Sequence, residues 1–295
     1  MNAVVLVNKP IGMRSTSCVS IARKSLGGVK VGHAGTLDST ASGLLVLLTG
    51  HAPRFSEYVM SLPKVYHAVI QFGIETNTYD YSGEIVSEKG YDDVDGGYIE
   101  EVLRRFAGIR LQRPPAVSAI KIDGQPAYKL ARSGEEVDMK LRPIFFRRIN
   151  TLTPYNPQDG TISLEVSCGR GTYIRSLAHD LGVIVGCGAH VKSLVRVSSG
   201  LFTLKDASPP DDIALLPLSR LAENFTRIHI PSRDAKTFTN GMSILLRHAD
   251  HTERGISCVK GGIFVEGDEF VGIGQYAGYD YVQPVVIVSK DDICY

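Results

Sequence analysis

One carboxylate and one imidazole stand five residues apart in Gly32-His33-Ala34-Gly35-Thr36-Leu37-Asp38, a run closed by Ser42-Gly43-Leu44-Leu45. Glycines at 32, 35 and 43 let the backbone take turns that other residues resist and approach a second molecule closely. The apolar segment Leu44 to Leu48 follows at once. A strand entering the core there would hold Asp38 on a rigid mount, as a reactive carboxylate needs. A bare H-x4-D spacing also describes an ordinary turn with a solvated Asp, so the pair alone does not fix a chemistry. It does argue against metal: no second or third ligand lies at suitable spacing from His33. Cysteines 18, 168, 187, 258 and 294 are scattered, with no C-x-x-C, which speaks against zinc and against a disulfide framework.

The elements that must position these groups fit a chain of 295 residues with 43% hydrophobic and 21% charged content. One large domain and one small one are expected at that length. No apolar run approaches the length that spans a bilayer, and MNAVVLVNKP lacks the basic start of a signal peptide, so the cytoplasm is the expected compartment. The net charge is only +1, but its distribution is uneven. Residues 100–148 hold 11 Lys/Arg against 6 Asp/Glu, and residues 170–205 hold 5 against 1. Two basic segments of this kind are a footprint for a polyanion.

Hydrophobic periodicity predicts a buried strand at 3–7 and a helix to about Ser25, capped by Ser15 or Ser17. Further strands are expected at 64–72, 144–152, 161–167 and 189–197. A helix over 98–106 carries Ile99, Val102, Leu103 and Phe106 at helical spacing. A second, capped by Thr172, carries Ile174, Leu177, Ala178 and Leu181 and stops at Gly182. A short helix is expected from Gln125 to Ser133. The loop 88–97 is acidic and solvated. After Ile228, short β-like runs at 243–246, 256–259, 262–265, 270–273 and 285–288 are separated by Gly and Asp turns, the pattern of a small barrel. Helices and strands are intermixed without a regular repeat, so the fold class is α+β.

GHAGTLDSTASGLL at 32–45 resembles the G-H-x-G-x-L-D-P-x-A-x-G-L-L block of the TruB family, the tRNA pseudouridine-55 synthases. Four further blocks resemble the same family in the same order: VNKPIGMRS at 7–15, KVYHAVIQFGIETNTYDYSGEI at 64–85, RPPAVSAIKIDGQPAYKLARSGEEV at 113–137 and CGRGTYIRSLAHDLG at 168–182. Ser39 stands where the family pattern has Pro, and Arg14 where it has Thr. The resemblance covers roughly residues 3–202. Less specifically, Phe238-Thr239-Asn240-Gly241 and 266–288 resemble a PUA-like RNA-binding domain. That segment, 228–295, carries 6 Lys/Arg against 9 Asp/Glu, which does not favour phosphate.

The resemblance implies a pseudouridine-synthase-type mixed sheet flanked by helices over 1–227, an RNA-gripping thumb at about 120–143, and a PUA-like β-barrel over 228–295. It implies an isomerase that converts uridine 55 in the T loop of tRNA to pseudouridine without a cofactor, as a monomer with no obligatory protein partner. Such a reaction breaks the N1–C1′ bond, turns the base and rejoins it through C5, and involves no redox step. A carboxylate must either attack as a nucleophile or remove a ribose proton, and both routes stay open for Asp38. By the family's pattern Asp38, Tyr66 and Arg175 are the catalytic residues, with Arg175 pairing with Asp38 to favour its ionised form. Tyr66 stacks on the flipped base and assists proton removal at C5. His33 fills the vacated stack, and Tyr173 and Leu194 contact the flipped nucleotide. Lys9, Pro10, Lys129 and Arg132 complete the substrate-binding set. Two other readings are a guide-RNA-directed synthase of the dyskerin type, which generally lacks the thumb, and an RNA-folding chaperone for which Asp38 would be dispensable.

Overall fold

A computed structural model describes residues 2–118, 120–122, 124–127, 138–255, 263–267 and 270–288. Its contacts divide the chain into two compact units: 1–63 with 197–295, and 64–196.

The first unit begins with β1 (Val4–Lys9), the helix Ser15–Ser25, β2 (Val31–His33) and β3 (Ser42–Thr49). β1 pairs antiparallel with β3, Val5 opposite Leu47 and Lys9 opposite Gly43; β2 pairs on β3 with His33 opposite Leu47. The alternation expected of a half-exposed strand is absent from β3, in which all but its first residue are buried. Both faces of this strand are covered, which explains its unbroken apolar run. The helix starts as expected, but its N-cap is Arg14 and no side chain caps it. Ser15 lies inside the first turn, and its hydroxyl is engaged elsewhere.

The second unit contains β4 (Lys64–Phe72), β5 (Ile74–Thr76), β6 (Ile85–Glu88), β7 (Gly108–Gln112), β8 (Lys121–Ile122), β9 (Gln125–Pro126), β10 (Arg142–Asn156) and β11 (Thr161–Cys168). β12 (Ala189–Ser199) carries the chain back to the first unit, and its strands here run in the order β12, β4, β11, β10, β7. β4 matches its predicted span. Two helices cover the buried face of this sheet, Gly96–Phe106 and Ile174–Val185, and share one core with Ala68, Ile70, Phe72, Leu164 and Val166. In the loop before the first helix the acidic residues Glu88, Asp92, Asp93 and Asp95 are exposed, as expected, while two others turn inward. Tyr91 and Val94 pack on that core, and the Tyr91 carbonyl accepts from the Tyr155 hydroxyl at 3.1 Å.

Three local expectations are corrected here. Tyr173, not Thr172, is the N-cap of the second helix. That helix runs through Gly182 and ends at Gly186, whose φ of 96° takes the left-handed form that a C-terminal glycine permits. Gly182 answers a different demand: a Cβ there would collide with the backbone of Gly188 and Ala189. Finally, Gln125–Pro126 pairs with Lys121–Ile122 as a small hairpin, so the helix begins later than expected, at Ala127. Residues 128–133 of that expected helix, with Lys129 and Arg132, lie outside the described residues.

Returning to the first unit, β13 (Phe202–Thr203) pairs with the end of β12. A second sheet follows, made of β14 (Thr226–His229), β15 (Ile244–Leu245), β16 (His251–Glu253), β17 (Ile263–Glu266), β18 (Phe270–Tyr276) and β19 (Tyr281–Ile287), in the order β15, β19, β18, β17, β14, β16. It is mixed, since β14 and β17 are parallel and the remaining pairs are antiparallel. The short runs at 243–246, 262–265, 270–273 and 285–288 overlap its strands over their described residues; 256–259 and Gly262 lie outside those residues. β14, β16 and the helix Ser232–Thr239 are additions that periodicity did not reveal. Phe225 stacks on Phe264 at 4.4 Å, and both meet Tyr58 edge-on, so this sheet shares a core with the first 63 residues.

Gly182→Ala should destabilise the protein by about 1–3 kcal/mol or more, because the new methyl overpacks a backbone crossing that cannot yield easily. A lowered midpoint in thermal or urea unfolding checks this; an unchanged midpoint would show that the crossing relaxes freely.

Candidate active site

In the first unit, the loop between β2 and β3 is held at Leu37, Ser39 and Ala41 by partners outside it and braced by one bond within it. Lys9, at the end of β1, is fully buried, and its ammonium donates to the carbonyls of Pro10 at 3.0 Å, Met13 at 2.8 Å and Ala41 at 2.5 Å. Ser15 Oγ donates to the Leu37 carbonyl at 2.8 Å and accepts from the Leu37 N–H at 2.9 Å. The Gly12 N–H donates to the Ser39 carbonyl at 2.7 Å, and the Ala41 N–H to the Asp38 carbonyl at 3.2 Å. Residues 37, 38, 39 and 41 are thus each bonded through the backbone. Leu37 is buried, whereas Asp38 and Ser39 are exposed. The arrangement presents one carboxylate to solvent on a backbone with little freedom, which is the rigid mount the glycine-rich motif promised. Gly35 and Gly43 adopt φ of 115° and 106°, values that a side chain would strain. His33 closes β2, partly buried, and Pro10 is exposed beside the loop.

In the second unit, Arg175 lies in the first turn of the helix Ile174–Val185 and is 5% exposed. Its Nη1 donates to the Thr78 carbonyl at 3.0 Å and its Nη2 to the Val117 carbonyl at 3.1 Å, while Nε is 3.8 Å from Asp80 Oδ2. Asp80 is equally buried, and its Oδ1 accepts from Thr78 Oγ1, the Ser82 N–H and Ser82 Oγ at 2.9, 3.0 and 2.6 Å. A buried charge pair is tolerated only when its remaining donors and acceptors are satisfied in this way. The turn that carries Asp80 is fixed in turn: Thr76 Oγ1 donates to the Asp80 carbonyl at 2.7 Å, and Tyr79, at φ 61°, stacks on His179 at 4.1 Å. Burial pushes the Tyr79 hydroxyl's pKa up, with Glu75 and Asp180 adding to the rise.

Gln112 makes a two-point clamp on Tyr173. Its Nε2 donates to the Tyr173 carbonyl at 3.0 Å, and its Oε1 accepts from the Tyr173 N–H at 2.9 Å. Tyr66, on β4 opposite Val166, shares the strand face of Ala68, Ile70 and Phe72 and packs at the edge of their core. Leu194 packs on the same core. Asp80 and Gln112 are site-building residues that the sequence reading left unassigned. The D-x-S-G turn at 80–83 was a signal for the first, and nothing local marked the second.

Residues 23–174 match the TruB family pseudouridylate synthase N-terminal domain, and residues 175–219 the tRNA pseudouridylate synthase B C-terminal domain. The chain belongs to the TruB family. Proteins called tRNA pseudouridine synthase B are similar over most of their length. That of Clostridium kluyveri is 33% identical over 288 residues, covering 95% of this chain and 98% of the relative. That of Symbiobacterium thermophilum is 37% identical over 253 residues, covering 84% of each. Among solved structures, a Cbf5-Nop10-Gar1 complex contains a chain that superposes with a TM-score of 0.72 at 23% identity, covering 98% of this chain and 84% of that one. An archaeal box H/ACA sRNP Nop10-Cbf5 complex gives 0.70 at 21%, covering 97% and 85%. At such identities the likeness is one of fold, and it carries the α+β class, with its mixed sheets and the C-terminal sheet of a PUA-like domain. The TruB match spans the Asp38 loop, Tyr66, Asp80 and Gln112.

Lys9→Met keeps the length of the side chain and removes all three donors. It should cost about 1–3 kcal/mol of stability, the scale of a buried acceptor left without a partner. Urea unfolding of the purified variant measures it; a midpoint equal to wild type would show that water replaces the ammonium without loss.

Proposed function

We propose that this protein converts uridine 55 in the T loop of tRNA to pseudouridine. Isomerisation of uridine in tRNA is the activity of its family, and the immobilised loop that exposes Asp38 is the observation that supports this chain as an active member. In the reaction the N1–C1′ bond breaks, the uracil turns, and C5 bonds to C1′. C5 gives up its proton and N1 gains one, so the product is an isomer and no cofactor enters the balance. Asp38 acts either by attacking C1′ or by removing a ribose proton. Both routes need a carboxylate held still and open to substrate, and both are served by the same backbone bonds.

Tyr66, Arg175, Tyr173 and Leu194 are the proposed contributions of the second unit, with Tyr66 stacking on the extruded base and directing its hydroxyl to the C5 proton. Extrusion of a stacked uridine costs a few kcal/mol, and stacking on an aromatic ring returns about 1–3 kcal/mol. His33 occupies the space the base leaves. We assign Lys9 to support of the Asp38 loop, since its three donors are engaged within the protein, and Pro10 to the exposed rim beside it. Lys129 and Arg132 are proposed phosphate contacts of the thumb, on the strength of the basic segment they belong to. Among the described residues no helix is long and apolar enough to cross a membrane; the cytoplasm and a monomeric state without a protein partner complete the proposal.

Asp38→Asn should reduce isomerisation by about 10²–10⁴-fold or more, as expected for loss of an essential acid–base or nucleophilic group, while tRNA affinity stays within a few-fold of wild type. Pseudouridine mapping on an unmodified tRNA transcript, with parallel filter binding, measures both. Turnover by the variant at a few per cent of wild type would remove Asp38 from the chemistry and favour the RNA-chaperone reading. Tyr66→Phe should bind tRNA normally and lose turnover; an active Phe variant would exclude the hydroxyl from proton transfer.

A further inference from the structure

The second sheet of the first unit gathers a cluster that isomerisation does not use. β14 lies between β16 and β17, and the pairing register sets His229 opposite His251, Arg227 opposite Glu253, and His229 opposite Glu266. Directly opposed residues project from the same face of a sheet, so two imidazoles, two carboxylates and one guanidinium are brought together. The two imidazoles stack at 3.8 Å with their planes 11° apart. Nitrogen and oxygen atoms of His229, His251 and Glu253 all lie within 4.8 Å of one another. His229 Nε2 is shut off from solvent and, among the described residues, has no hydrogen-bond partner of proper geometry, although Glu266 Oε2 is 3.3 Å away and Glu253 Oε1 3.7 Å away. His251 Nε2 is 3.6 Å from the same Glu253 oxygen. Arg227 pairs with Glu253 and, at 3.7 Å, with Glu266.

We propose that His229, His251 and Glu253 bind a divalent transition-metal ion of the zinc class. Two imidazoles and one carboxylate are a donor set for such ions, and three protein ligands leave a fourth position for water or for Glu266. Bonds of about 2.0–2.2 Å place the ligand atoms of a tetrahedral ion about 3.4 Å apart, so binding draws the ligand atoms together and turns the two imidazoles out of their parallel stack until their in-plane lone pairs converge. Charge agrees with this assignment. With neutral imidazoles, two carboxylates face one guanidinium, and the excess is negative. Glu266 is placed to hold His229 in orientation, as carboxylates beside ligating imidazoles do. The metal would staple the three-residue edge strand β16 to β14, far in chemical role from the isomerisation of uridine.

The test is a zinc titration of the metal-stripped full-length protein, followed by calorimetry and by the thermal midpoint with and without zinc. Wild type should bind one ion per chain through this site and melt higher when loaded. His251→Ala and Glu253→Gln, at exposed positions, should each weaken binding at least tenfold and abolish the rise in midpoint. His248→Ala, an exposed histidine of the same unit paired with Asp234, should leave both readouts unchanged. Absence of saturable zinc binding in wild type overturns the proposal. So does binding whose affinity His251→Ala and Glu253→Gln leave intact, since the ion would then sit elsewhere.

Discussion

A fully buried ammonium underlies the Asp38 loop. Removing a lysine from water is costly, and the cost is tolerated here because each of its three N–H donors meets a backbone carbonyl. The same three bonds tie the end of β1 to the turn at Met13 and to Ala41, beyond Asp38. A neutral side chain of the same length could fill the volume but could not draw those three carbonyls together. Ser15 acts in the same sense from the neighbouring helix. Its hydroxyl would ordinarily serve as a helix cap; instead it bonds both backbone groups of Leu37. Arg14 stands at the cap position without a side-chain bond, so the helix gives up a favourable terminus while the loop gains a fixed register.

The second unit solves a comparable problem with a pair of opposite charges. Arg175 and Asp80 are both nearly inaccessible, and neither would be stable there alone. Three donors on one Asp80 oxygen and two carbonyls on the Arg175 guanidinium fix the orientation of each partner. Gln112 adds a third restraint at the cap of the same helix, reading the Tyr173 backbone from both sides. The residues expected to act on a nucleotide are thus mounted by side chains that bond within the protein.

Much of this was legible in the chain. The strand at 64–72, the apolar helix face at 174–181 and the glycine-rich loop each announce themselves within a dozen residues, because their signals are periodicity and turn chemistry. What escaped depends on partners distant in sequence. Asp80 matters through Arg175, and Gln112 through Tyr173, and no local pattern links either pair. Lys9 enters the substrate-binding set only through the family resemblance; the meeting of β1 with the loop after β2 is what reveals a buried cation, rare for a lysine. Gly182 looked like a helix stop, since a glycine at the end of an apolar stripe has that meaning unless another backbone crosses there. His229 and His251 are 22 residues apart, a spacing that suggests no metal site until the strand register sets them face to face.

The first compact unit is discontinuous, and that fixes an order of events during synthesis. Residues 1–63 share their core with Phe225, Phe264 and Phe270, and β1 is bridged by Leu216 and Ser208. None of these partners exists when the N-terminal segment leaves the ribosome. At synthesis rates of about 5–20 residues per second, the segment waits on the order of ten seconds or more for them. The second unit, continuous from 64 to 196, has all of its own strands first. The apolar faces of Val4, Leu6 and Phe55 are therefore exposed in the nascent chain until residues beyond 200 arrive to cover them. The Asp38 loop sits in that discontinuous unit, yet the residues that bond its backbone, Lys9, Gly12 and Ser15, all precede it in the chain, so its own supports are made before the rest of the unit's core.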